Sequence, residues 1–179
     1  MASLFEADIL EMKGEHKSAV DLLSSHWVVD KDGRLGNAIY ALSNKNNLPL
    51  PASFFAEWQK AEPGNSRPFL LEAMVAQAAD KDNAVSLYEK IIEMDANNVP
   101  ALNNLAWLYQ EANQLDKADQ LASRAVALAP ESPSVLDTAG YIKMKMGDKK
   151  AIALLDKARN LAPDVAEIEE HYQQAKRSL

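Results

Sequence analysis

The sequence predicts an all-α fold, an α-α superhelix of about five helix-turn-helix units followed by a C-terminal capping helix. Three observations predict it. First, the chain matches itself at an offset of 33 residues: Pro100 falls on Pro133, Leu102 on Val135, Ala106 on Ala139, Ala118 on Ala151, Ala125 on Ala158 and Pro130 on Pro163. Every pair is small, apolar or proline, as stacked supersecondary units require. Second, apolar residues inside each unit recur at spacings of three and four, the period of one helix face. Third, residues that start and stop helices bracket those stripes.

The clearest unit runs over 99–131. Asn98 can cap a helix, and Pro100 sits in the first turn, where no backbone donor is missed. Leu102, Leu105, Ala106 and Tyr109 make one stripe, and Asn113 can take a left-handed turn. A second helix starts from about Asp116, with Ala118, Leu121, Ala122, Ala125 and Leu128 on one face, and Pro130 stops it. In the next unit, 132–163, Ser132-Pro133 repeats the cap and Gly147-Asp148 makes the turn. Ala118 and Ala125 read as close helix–helix contacts. Upstream, 65–98 carries Leu71, Ala84, Tyr88 and Ile91, with Asp80-Lys81-Asp82 as its turn. The unit 32–64 carries Leu35, Leu42, Phe55, Trp58 and Pro63; Pro49 and Pro51 place the start of its second helix near Pro51. The first unit, 1–31, keeps Leu4, Gly14, Ala19 and Leu23, and 164–179 reads as a polar capping helix. The whole, 1–179, reads as a single domain.

Composition narrows the function. At 47% hydrophobic and 25% charged residues, the chain of 179 can fold. A net charge of −7 argues against nucleic acid or an anionic membrane as the main partner. The absence of Cys removes disulfides, Cys-ligated zinc and thiol catalysis, and leaves the compartment open. No apolar run approaches the roughly 20 residues of a membrane span. The first residues lack the basic region and apolar core of a signal peptide. Two readings of compartment follow: a cytoplasmic protein, or a piece of a longer exported one.

Chemistry finds little support. His16, His26 and His171 lie far apart. Glu167, Glu169, Glu170 and His171 are the densest metal-like cluster, yet consecutive residues point in different directions around a helix, so they read as a solvated face. Asp80-Lys81-Asp82-Asn83 opens like a calcium loop but lacks the glycine bend and the closing bidentate Glu, because Ile91 stands there. No phosphate loop or nucleophile elbow occurs. The expectation is a non-enzyme with no catalytic residue, cofactor or metal.

The pattern Leu102, Leu105, Ala106, Tyr109, Ala118, Ala122, Ala125 and Pro130 resembles the tetratricopeptide repeat. The strings ALNNLAWLYQE, LDTAGYI and ALLDKARNLAP and the His171-Tyr172 pair resemble the C-terminal repeats of a narrower family. It is the tetratricopeptide-repeat protein, often a lipoprotein, encoded with exosortase and PEP-CTERM sorting systems in exopolysaccharide-producing bacteria. That resemblance implies that the chain is about the last fifth of a longer exported or periplasmic protein. The tetratricopeptide resemblance implies a concave groove lined by the first helix of each unit. Its groove positions fall on Phe5 and Ile9; on Tyr40, Ser43 and Asn44; and on Phe69, Ala76 and Gln77. Further on they fall on Asn103, Trp107, Gln110 and Glu111, then on Leu136, Gly140, Lys143 and Met144. Partner binding is therefore expected at Tyr40, Asn44, Phe69, Gln77, Asn103, Trp107, Gln110 and Lys143. Trp107 is the sharpest candidate. Its alternative is a packed structural ring, the reading favoured for Trp27 and Trp58 and leaned toward for Tyr40 and Phe69, while Asn104 either binds peptide or ties neighbouring elements. The set Lys, Asn and Arg that clamps C-terminal carboxylates elsewhere in the family is not kept. The implied function is a scaffold for a protein or peptide partner. The alternatives are an acidic chaperone for secreted proteins, and a homo-oligomer or longer array built through the N-terminal end.

Overall fold

The computed structural model describes residues 2–179, so Met1 lies outside the described residues. The described chain is all-α, with eleven helices. It divides into two compact units, residues 1–68 and 69–179.

In the first unit, α1 (Ala2–Met12) packs on α2 (His16–Val29), which packs on α3 (Gly33–Lys45). Ala7, Ala19 and Leu23 are buried, as short side chains between close helices should be. Asp32 caps α3, its carboxylate accepting from the Arg34 backbone N–H at 2.7 Å. The Arg34 side chain holds that carboxyl down at about 2. The next helix, α4 (Phe54–Ala61), starts three residues after Pro51 because a turn intervenes, the Phe54 N–H donating to the Pro51 carbonyl at 2.9 Å. Trp27, Phe54 and Trp58 form a buried aromatic cluster with ring centroids 5.6–5.7 Å apart, the structural role expected of both tryptophans. Glu62 ties the unit's loops. Its carboxylate accepts from the Gly33 N–H, the Trp58 Nε1 and the Asn65 Nδ2.

The second unit begins within α5 (Ser66–Ala79) and continues through α6 (Lys81–Met94), α7 (Val99–Glu111), α8 (Leu115–Leu128), α9 (Pro133–Lys145), α10 (Lys150–Leu161) and α11 (Ala166–Ser178). Asp80 caps α6 by accepting from the Asn83 N–H, which is what the calcium-like string does here. Asn98 caps α7 through the Ala101 N–H at 3.1 Å. Ser132 stands at the same place before α9 but makes no cap bond; its hydroxyl lies 3.2 Å from the Ser134 hydroxyl instead. Ala118 and Ala125 are fully buried at helix contacts. Leu128, expected on the same stripe, is exposed at the last residue of α8. The last helix is amphipathic rather than simply polar. It buries Ile168, His171, Tyr172 and Ala175 against α9 and α10, so His171 does not lie on a solvated face.

The two C-terminal hairpins repeat at two offsets, not one. Asn113 (φ 57°) and Gly147 (φ 74°) hold the same left-handed position thirty-four residues apart. The bond from the Gln114 N–H to the Tyr109 carbonyl recurs from Asp148 to Lys143. After the turn, α8 winds in with a bond from Ala118 back to Gln114, four residues away, whereas Ala151 bonds back to Asp148, only three away. That tighter first turn consumes one residue fewer. The second helices therefore match at 33 and the first helices at 34.

Candidate functional site

The one-residue difference decides which side chains share a face. Ala106, which packs with Ala118 and Ala122, has Gly140 as its counterpart, not Ala139. A Cβ on Gly140 would stand 2.6 Å from the Leu155 Cγ, so α9 meets α10 there. Gly140 and Leu136 are thus interior residues and not groove residues. The counterparts of Asn103 and Trp107 are Asp137 and Tyr141.

A cleft of about 540 Å³ opens between α7, α9 and α11. Asn103, Asn104 and Trp107 line it from α7, Asp137 and Thr138 from α9, and Glu167 and Ile168 from α11, with Gln77 of α5 at one margin. Three rings form a ladder beside it. Trp107 and Tyr141 lie 5.4 Å apart, and Tyr141 and His171 lie 4.3 Å apart. Trp107 is half-buried, so it both packs and faces the cleft. His171, 7% exposed, places Nδ1 at 3.0 Å from both carboxylate oxygens of Asp137, itself 8% exposed. Burial alone would pull the imidazole down. The hydrogen bond and charge of Asp137, with Glu167 and Glu170 nearby, outweigh it and hold His171 above its usual value.

The amides fall into two roles. Asn104 Nδ2 donates to the hydroxyl of buried Tyr88, which donates to Gln77 Oε1, each at 3.1 Å. Asn104 and Gln77 therefore tie α5, α6 and α7 together at the cleft margin. Asn103 Oδ1 is buried without a hydrogen-bond partner, although the residue itself lines the cleft.

The remaining candidates lie elsewhere. Phe69 requires correction: it is 4% exposed and packs with Ala73, Tyr88, Ile91 and Ala101, under the Lys90 ammonium. A single residue, Asp80, joins α5 to α6, where three join α7 to α8, so the two hairpins do not share one numbering of face positions. Lys143 is also corrected. Its ammonium pairs with Asp119 at 2.9 Å and Asp148 at 3.6 Å, contacts that raise its pKa and bind α9 to α8. It stands where Tyr109 stands in the previous hairpin. Gln110 is half-buried outside the cleft lining. Tyr40 and Asn44 belong to the first unit, where the half-buried Tyr40 ring lies 6.2 Å from Phe55 and Asn44 is exposed. Asp137, Tyr141, Glu167 and His171 were not expected at a site. Counting thirty-four instead of thirty-three from Asn103 and Trp107 would have found the first two. Among the described residues no three His, Cys, Asp or Glu side chains are grouped to hold a metal, and no helix is long and apolar enough to cross a membrane.

Residues 87–120 match the family model described as tetratricopeptide repeat. The curated protein ycf37 of Porphyra purpurea, itself described as uncharacterized, is 38% identical over 53 residues, 30% of this chain and 31% of that protein. The chain thus matches about a third of that relative's length. Among solved structures, TTC0263 from Thermus thermophilus, described as a thermophilic TPR protein, superposes with a TM-score of 0.67 at 18% identity over 98% of both chains. YrrB, described as a TPR protein with an unusual peptide-binding site, gives 0.67 at 15% identity over 97% of this chain and 91% of its own. These likenesses support a tetratricopeptide-repeat fold.

Proposed function

We propose, from this tetratricopeptide-repeat architecture, that the chain is a non-enzymatic scaffold that holds an extended peptide segment of a partner protein in the cleft between α7, α9 and α11. The observation that carries the reading is the half-buried Trp107 ring facing a cleft that the Asn103 and Asn104 side chains also line. An extended backbone pairs with amide groups along the cleft wall, and an apolar or flat side chain covers the ring. The unusual peptide-binding site described for YrrB adds support by analogy of fold. Peptides selected from a random display library on the immobilised protein test it. Trp107→Ala is expected to weaken their binding about tenfold or more, with a stability loss of about 1–2 kcal/mol, because only part of the ring is buried. Equal binding to the variant removes the site.

The finer placement, in an exopolysaccharide and protein-sorting assembly outside the cytoplasm, rests on the sequence strings that resemble that family. Copurification of the tagged protein from its source tests it. A second reading has its own observation. Phe5, Met12, Val28 and Val29 are exposed on α1 and α2, as a stacking end of a repeat array would be. A sedimentation coefficient independent of protein concentration rules out self-assembly through them.

A further inference from the structure

We propose that the cleft selects a peptide carrying a Lys or Arg side chain, which lies across Trp107 and ends beside Glu167, with Asp137 beneath it. The inference rests on the peptide-binding reading and names the chemistry of its ligand. It is argued from charge. Two carboxylates line the cleft and no Lys or Arg does. Glu167 is exposed at the rim, so it meets an incoming cation without first giving up a buried partner. Asp137 lies at the floor and is held by His171. Cations on α9 and α10 are engaged elsewhere: Lys145 lies over the Tyr141 ring, and Arg159 pairs with Asp156 and Glu169. A guanidinium or ammonium on the face of a Trp gains from the ring's negative face, and more so where a wall excludes water. Trp107 supplies that face within the same cleft as both carboxylates. The net charge of −7 adds long-range attraction of the same sign. An acidic peptide would meet the exposed Glu167 carboxylate and find no Lys or Arg in the lining, which inverts the preference of a carboxylate clamp.

The test uses the full chain and a positional peptide library. All positions are degenerate except a central one fixed as Lys, Arg, Nε-acetyl-lysine, Leu or Glu. Binding is read by fluorescence anisotropy at low and high salt. The Lys and Arg pools are expected to bind about tenfold more tightly than the acetyl-lysine and Glu pools. That advantage should shrink at high salt and in Glu167→Gln, an exposed change that leaves the fold intact. Equal binding of all pools, or an advantage that Glu167→Gln leaves untouched, overturns the charge inference. If such binding is still lost in Trp107→Ala, the peptide cleft itself stands. If no pool binds, both fall.

Discussion

Gly140 is where helix packing and the placement of the cleft depend on one missing atom. Any side chain there would press a Cβ into Leu155, whose Cγ is branched and anchored in the interior. Gly140→Ala should therefore destabilise by about 1–3 kcal/mol despite alanine's higher helix propensity, read from urea unfolding. His171 makes a second residue-scale prediction. Its pKa is raised in the folded chain by Asp137, so its contribution is complete below the unfolded value of about 6.5 and is lost as pH rises through the raised value. Unfolding measured at several pH values should show stability declining across that interval. His171→Gln should flatten the decline. A wild-type curve with no slope there would mean that the pair with Asp137 does not form. The residue scale is also where sequence reading was weakest. His171 sits among three glutamates in the chain, yet it is buried, because a helix turns about 100° per residue and carries Glu169 and Glu170 away from the face that packs on α9 and α10.

The turns govern the elements. Asn98, Pro100, Asn113 and Gly147 were legible because each acts on backbone a few residues away. The missing cap at Ser132 and the late start of α4 were not, since alternative local bonds of similar energy compete at both places. Gly147 holds φ 74° with open space around its Cα, so Gly147→Ala carries a purely backbone cost, expected at about 1 kcal/mol. Asn113→Gly, at the matching φ of 57°, should change stability by only a few tenths. Thermal melts of the two variants check the pair, and an equal effect would mean that the turns are not equivalent. The tighter start of α10 shows how a turn reaches a site. With one residue fewer before Ala151, Asp137 rather than Leu136 lines the cleft, and Tyr141 rather than Gly140 stands beside Trp107.

At the scale of the molecule, repeats pass stability mainly between neighbours. Leu155→Ala, at a fully buried position of α10, should cost about 2–5 kcal/mol. Hydrogen exchange should then quicken in α9, α10 and α11 while α1 and α2 keep their protection; uniform loss along the chain would show a single cooperative fold. The all-α class, the helix hairpins and the buried alanines were determined by the sequence alone, because they arise from period, caps and turns within one unit. Which first-helix residues meet across α7, α9 and α11 was decided only by the tertiary structure. That choice depends on how many residues each turn consumes, and a change of one residue rotates a whole helix face by about 100°.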